Sequence, residues 1–399
     1  MELYELAVRR AGAPSLAELQ RREGLPPTGR LDAASWAVLL PWLKGYRSYR
    51  VAPGDNYSRI AARFGTTVRA LITANPNQDP LRLYVDQLLT VPLGFEVVPA
   101  DMPLTYELLT LCLDGLAARY PFLTVRNIGQ SAYGRKLPQV AVGLGPRRVL
   151  YNASHHANEW ITTPLLLRFA EELAAAAGAG GEISGISAGE LLDYAALCLV
   201  PAVNPDGMDL VTGELSAGEA YRSARAIAER YPRFPFPSGW KANIRGVDLN
   251  LQYPAGWEEA RLYKYGQGIT SPAPADFVGE APLTAPEARA LAELTERFEP
   301  ALTLSYHSQG EVIFWNWRDY APENAASIGR LFAELSGYRL LAEPAAPSSA
   351  GYKDWFLQEF RRPGYTVELG RGVNPLPIGD FPAIYARNLP LLTIAALVT

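Results

Sequence analysis

Five candidate strands, at residues 139–143, 148–152, 195–200, 301–306 and 364–368, constrain the chain most strongly. A strand with one wet face alternates apolar and polar residues with a period of two, and several of these runs lack that alternation. Those must therefore be covered on both faces. Segments with helical spacing of apolar residues at 104–119, 162–175, 286–297 and 323–336 supply the covers. The expected fold of residues 101–399 is a three-layer α/β/α domain around a mainly parallel or mixed sheet. Sites in such sheets lie beyond the carboxyl ends of strands, so the residues that close or follow the runs are where chemistry is expected. The Ala- and Gly-rich stretch 174–189 reads as a flexible connection. Residues 208–240, polar and proline-bearing, read as a long insertion that shapes a cleft or stays mobile.

At 399 residues the chain exceeds the roughly 100 to 200 residues of one domain, and two smaller segments precede the large one. Residues 1–45 contain helical patterns, with Ser15 and Glu18 spaced as a capping box and Asp32 placed to cap a helix through Leu40. In residues 46–93, Tyr49-Arg50-Val51 precedes a Pro53-Gly54-Asp55 turn. Helices are expected over 57–64 and 67–74, the second stopping at Asn75-Pro76, and Leu88 to Pro92 returns as a strand. A formal net charge of -4, from 37 basic and 41 acidic residues, offers no basic face for nucleic acid. Cys112 and Cys198 lie among leucines and read as small buried hydrophobes. The first residues lack the apolar core of about 7 to 15 residues that marks a secretory leader, and no run reaches the about 18 apolar residues of a membrane span.

Histidine is scarce: His155, His156 and His307 are all the chain has. Two follow the run ending at Asn152 and the third follows the run ending at Tyr306. In His156-Ala157-Asn158-Glu159 an imidazole and a carboxylate stand three positions apart, close enough for one ion, and His307 can complete the set from a neighbouring strand end. Two nitrogens and a carboxylate suit Zn²⁺ and leave a fourth position for water. The spacing selects His156 over His155, which then lies behind the ion or faces the cleft.

The segments SHHANEW, NPDG, GVDLN, SYHSQGE and TVELG, in that order over residues 104–399, resemble the zinc carboxypeptidases. That resemblance implies one zinc per chain held by His156, Glu159 and His307, with Glu368 as general base. The family places a Trp-Arg pair shortly before its Asn-Arg motif, and its arginine stabilises the developing oxyanion. Trp240-Lys241 stands there instead, so Lys241 is the matching residue, with Arg233 or Arg245 as substitutes and an ordinary surface lysine as the other reading. Asp206 and Asp248 are expected to orient neighbouring loops or ligands.

One departure bears on substrate. The family's carboxypeptidases clamp a free terminal carboxylate with Asn-Arg, but this chain has Asn250-Leu251, and leucine carries neither charge nor donor. Arg371 is left to meet a different carboxylate or to form a surface ion pair. No tyrosine between Ser336 and Asp354 is in register to close over a substrate, and Tyr352 lies nearest. The GVDLNLQYPAGW segment is similar to the γ-D-glutamyl-(L)-meso-diaminopimelate peptidase branch, which cuts the stem peptides of bacterial peptidoglycan. Residues 46–93 resemble a LysM module, which implies a βααβ fold and N-acetylglucosamine-containing glycan as partner, although Asn56 and Tyr57 depart from the usual small hydroxyl pattern. Residues 1–45 resemble two helices of a peptidoglycan-binding helical module. The expected site of action is the cell wall or the extracellular space, with a cytoplasmic enzyme as the other expectation because no leader is visible. The alternatives in function are a metallocarboxypeptidase for ordinary peptides, with Arg371 or Arg245 replacing the clamp, and an inactive cell-wall binding protein.

Overall fold

The computed structural model describes residues 2–343 and 349–398. Among these, eight strands form one sheet in the order Arg339–Leu341, Val312–Phe314, Gly364–Leu369, Leu302–Ser308, Arg147–Ala153, Ala195–Val200, Lys136–Val142, Thr124–Gln130. The four central strands, Gly364–Leu369 through Ala195–Val200, run parallel, and the strand next to them on each side, Val312–Phe314 and Lys136–Val142, is antiparallel. The lack of alternation in Arg147–Ala153 and Ala195–Val200 has the expected cause. Val149, Tyr151, Leu197 and Leu199 enter one buried cluster, whereas Leu150, Cys198 and Val200 enter another across the sheet. Both cysteines are buried and unpaired, and burial pushes their thiols up to about 12.

Two expectations are corrected. The stretch 174–189 is not a flexible connection: Thr162–Ala179 is one helix, ended by Gly180 in the left-handed conformation, and a two-residue hairpin then leads into the helix Ala188–Tyr194. Alanine is the strongest helix former, and Leu173 and Ala174 are buried against the core, so composition that looks like a linker propagates the helix. The insertion 208–240 is also built. It contains the helix Gly218–Ala228, whose Ala220, Ala224 and Ala228 pack in a cluster with Trp240 and Ala157 beside the site.

The first segment forms three helices, Leu3–Arg10, Leu16–Arg22 and Ala33–Lys44, the last capped as expected by Asp32, which accepts from Ser35 N at 2.8 Å. These helices close no core of their own. Leu6, Leu19, Leu39 and Leu43 join the same cluster as Leu108, Leu116 and Leu166 of the large domain. The second segment has its own small core of Val51, Tyr57, Ile60, Leu71, Leu89 and Val91, with strands Tyr46–Arg50 and Leu88–Pro92 antiparallel around helices Tyr57–Phe64 and Val68–Ala74. It also abuts the large domain. Arg69 Nε and Thr73 Oγ1 donate to Gly178 O at 2.9 and 3.1 Å, and a Cβ on Gly178 would lie 2.7 Å from Thr73. No helix among the described residues is long and apolar enough to cross a membrane.

The connector after Pro92 is pinned by a buried carboxylate, since Val97 N and Val98 N donate to the two oxygens of Glu171 at 2.6 and 2.9 Å. Replacing Glu171 by alanine strands two buried amides and the facing Arg168. We expect Glu171→Ala to lower stability by about 3 kcal/mol in urea unfolding. A change below about 1 kcal/mol would show that water takes over the amides.

Candidate metal centre and cleft

Three adjacent strand ends build the site. Glu368 lies beside His307 in the register of their parallel strands, and His156 follows the next strand by three residues. Between them Ser154 takes φ 55°, held by its amide donating to Thr162 Oγ1 at 3.0 Å and by hydroxyl contacts to Thr162 and Thr163. This turn separates the two neighbouring histidines. His155 pairs through Nε2 with Tyr253 OH at 3.0 Å and stacks on His307, and burial, reinforced by the other two rings, holds it well below the usual imidazole range, so it is neutral. His156 instead faces His307, and one turn of 3₁₀ helix, Ala157–Glu159, brings Glu159 back to it.

The motifs around the site act as braces. Asn204 of NPDG donates to His155 O and Ala242 O and accepts from Gly207 N, tying three loops together. A Cβ on Gly207 would lie 2.7 Å from Ala157 Cβ, which explains the glycine. Ala157 N donates to Lys241 O at 3.0 Å and so sets Lys241 beside the ligand loop. Asp248 of GVDLN lies 3.2 Å from His156 Nε2, the carboxylate–imidazole contact that orients a metal-binding histidine.

His156, Glu159 and His307 offer ligand atoms all within 4.8 Å of one another. Nδ1 of His156 and of His307 stand 3.2 Å apart, and each is 2.9 Å from an oxygen of Glu159. Two nitrogens at Zn–N distances of about 2.0–2.1 Å and a tetrahedral angle are about 3.3 Å apart, so the cluster fits one zinc ion. Ser308 N donates to Glu159 Oε2 at 3.2 Å and steadies that carboxylate. The charges are mutually dependent. Burial works against ionising Glu159, but His156, His307 and Lys241 outweigh it and hold the carboxyl well below its usual range. Burial lowers His156, yet Glu159 and Asp248 push it up to about 9, with Lys241 opposing them. Protein groups alone push Glu368 up to about 8, through burial and the nearby Glu159, with Lys241 pulling it down.

A cleft runs past this cluster in two arms. One, of about 260 Å³, is lined by His156, Lys241, Asn250, Leu251 and Glu368 and reaches the charged residues Lys264, Asp276, Lys353 and Asp354. The other, of about 450 Å³, is lined by Glu159, His307, Gln309, Val312, Glu368 and Asn374. Lys241 Nζ stands 3.7 Å from Glu159, and Asn250 Oδ1 accepts from Tyr352 N at 3.0 Å.

A strand-ordered site with this donor set matches known proteins. The family profile described as zinc carboxypeptidase matches residues 109–384. The chain belongs to the zinc carboxypeptidase family. It is a zinc peptidase, with one metal centre among the described residues. A LysM domain profile matches residues 49–92. The γ-D-glutamyl-L-diamino acid endopeptidase 1 of Lysinibacillus sphaericus is 42% identical over 297 residues, covering 74% of this chain and 73% of that one. The carboxypeptidase A of Helicoverpa armigera shares the fold, with a TM-score of 0.56 at 20% identity over 75% of each chain. The chitin elicitor-binding protein of rice is 46% identical over 46 residues, 12% of this chain and 13% of its own length.

The three guanidinium groups expected to help at the site stand elsewhere. Arg245 donates to Ala132 O at 3.0 Å, Arg233 lies over Phe234, and Arg371 is 76% exposed and paired with Glu311 at 2.7 Å. None lines either arm of the cleft. Each is close to the site in sequence, but a partner outside it, an aromatic ring, a backbone carbonyl or a carboxylate, takes the side chain. Tyr352 is buried, its hydroxyl 2.9 Å from Thr295 Oγ1, and residues 344–348 of the stretch searched for a closing tyrosine lie outside the described residues. Asp206 accepts from Tyr133 N and faces Arg135, apart from the zinc ligands. The paired charges Lys264–Asp276 and Lys353–Asp354 were not legible as site residues, because no motif marks them.

Zinc content measured after purification is expected to vanish in His156→Ala and to persist in His155→Ala; full retention by the first variant overturns the ligand set. His156 is protonated below about pH 9 without zinc, and zinc requires its lone pair. Titrating chelator-stripped protein with zinc between pH 6 and 8 should therefore release at least one proton. Apparent affinity should weaken about tenfold per pH unit lowered. Affinity independent of pH would reject this coupling.

Proposed function

We propose that the chain hydrolyses the amide between the side-chain carboxyl of D-glutamate and the amino group of diaminopimelate in peptidoglycan stem peptides. In this reading residues 101–399 are the peptidase domain, residues 46–93 hold N-acetylglucosamine-containing glycan, and residues 1–45 are a further wall-binding segment. The observation that carries the substrate assignment is Leu251 in the cleft, beside Asn250, with Arg233, Arg245 and Arg371 all outside it. A cleft without a guanidinium clamp is poorly suited to a free terminal carboxylate. The 42% identity to an endopeptidase named for γ-D-glutamyl-L-diamino acid bonds supports the same choice. The LysM match supports glycan binding, as does the similarity to a protein named for binding a chitin elicitor. A wall substrate sets the place of action at the cell wall or outside the cell.

When bound, zinc polarises the scissile carbonyl and makes water more acidic. Glu368, half-buried in the wall shared by both arms, takes the proton from the attacking water and later delivers one to the leaving nitrogen. The Lys241 ammonium faces the negative charge that grows on the carbonyl oxygen. Asn250 offers its amide to the substrate, while Asp248 keeps the His156 ring oriented. Binding to glycan raises the local concentration of stem peptides around the cleft.

Glu368→Gln removes the proton carrier while leaving the ligand set. It is expected to lower kcat by about 10²–10⁴ with zinc content and glycan binding retained. Mass spectrometry of digested muropeptides should show the paired products of cleavage before diaminopimelate. Intact tri- and tetrapeptide stems after incubation with zinc-loaded protein would reject the assignment.

A further inference from the structure

The narrower arm of the cleft contains two ion pairs that the proposed reaction has not used. Lys353 is spent on its surroundings: its three donors meet Asn316 O at 2.8 Å, Asp354 Oδ1 at 2.7 Å and Glu343 Oε2 at 2.7 Å. Lys264 differs. Its hydrogen-bond partner among the described residues is Asp276 Oδ1, at 2.6 Å, so two of its three N–H groups remain for a ligand. The second oxygen of Asp276 likewise has no hydrogen bond among the described residues. Both side chains are largely shielded, 16% and 33% exposed, and both line the arm that holds His156, Lys241 and Glu368. Asp276 N also donates to Asp248 Oδ2 at 3.2 Å, and the other oxygen of Asp248 meets His156, so one carboxylate links this pair to a zinc ligand.

We infer that Lys264 and Asp276 together seat the distal amino-acid head of the diamino acid, a group bearing an ammonium and a carboxylate on one carbon. The inference rests on the proposed cleavage of the γ-D-glutamyl bond and adds the residues that choose the diamino acid. A cation and an anion side by side complement a zwitterion of opposite order, and each charge on the ligand meets an unused donor or acceptor. Leu251 and Phe314 in the same arm offer an apolar surface to the methylene chain between the two heads. Lysine has an ammonium at that end but no carboxylate. It satisfies Asp276 and leaves Lys264 facing a like charge, so discrimination comes from repulsion as well as from the missing bond.

The test compares kcat/KM of the full, zinc-loaded chain on γ-D-glutamyl stems that carry meso-diaminopimelate or lysine at the third position. The native protein is expected to prefer the diaminopimelate stem by at least about tenfold. Lys264→Met should bring the ratio towards one, raising KM for the diaminopimelate stem more than it lowers kcat. Lys264→Arg, which keeps the cation, should retain most of the preference. Equal kcat/KM of the native protein on both stems overturns the inference and leaves the proposed reaction standing. A proportional loss on both stems in Lys264→Met also overturns it, because a merely structural role moves the two together. Native protein that cleaves neither stem rejects the underlying reading, and the inference with it.

Discussion

The ionised carboxylate of Glu159 is the constraint on which the site depends. Burial alone would favour its neutral form, and a neutral carboxyl is a poor ligand. Two imidazoles, the Lys241 ammonium and the Ser308 amide keep it charged, and they come from three separate parts of the chain. His156 needs the turn at Ser154, His307 needs the carboxyl end of a central strand, and Lys241 is set by its carbonyl, which accepts from Ala157 N. The parallel centre of the sheet places these ends side by side. Its strands can occupy that centre only because helices bury both faces. Fold and site are thus linked through one charge: loosening the strand ends separates the groups that make the buried carboxylate tolerable.

Much of this was legible in the sequence because burial leaves a direct mark. A strand covered on both faces can dispense with alternation, and the continuous apolar runs at 148–152 and 195–200 marked two of the four central strands. The rarity of histidine narrowed the ligands, and the ordered motifs supplied the family. Peripheral strands were harder. Thr124–Gln130 is mostly exposed, and Val312–Phe314 and Arg339–Leu341 have three residues each, too short for a period to emerge. The stretch after Ala174 misled because alanine is common in linkers and is also the best helix former; burial of the residues before it decided the matter.

Side-chain direction was the least legible property. Arg233, Arg245 and Arg371 lie near site motifs, yet an aromatic ring, a backbone carbonyl and a surface carboxylate draw them away. Lys264 and Asp276 carry no motif and are twelve positions apart, so only the fold reveals that they meet in the cleft. Asp248 lies between these cases. Its place in GVDLN pointed to a supporting role, but not to its bridging of a zinc ligand and the backbone of Asp276.

The shared core of the first three helices has a mechanical meaning. A wall-binding segment on a loose string would let a catalytic body sweep a sphere of neighbouring polymer. Here Leu6, Leu19, Leu39 and Leu43 share a core with the peptidase domain, and Arg69 and Thr73 fasten the LysM module to the end of a major helix. Such a molecule behaves as a gauge with fixed jaws: once one end grips, the spacing to the bond presented at the other end is set by the protein's own dimensions.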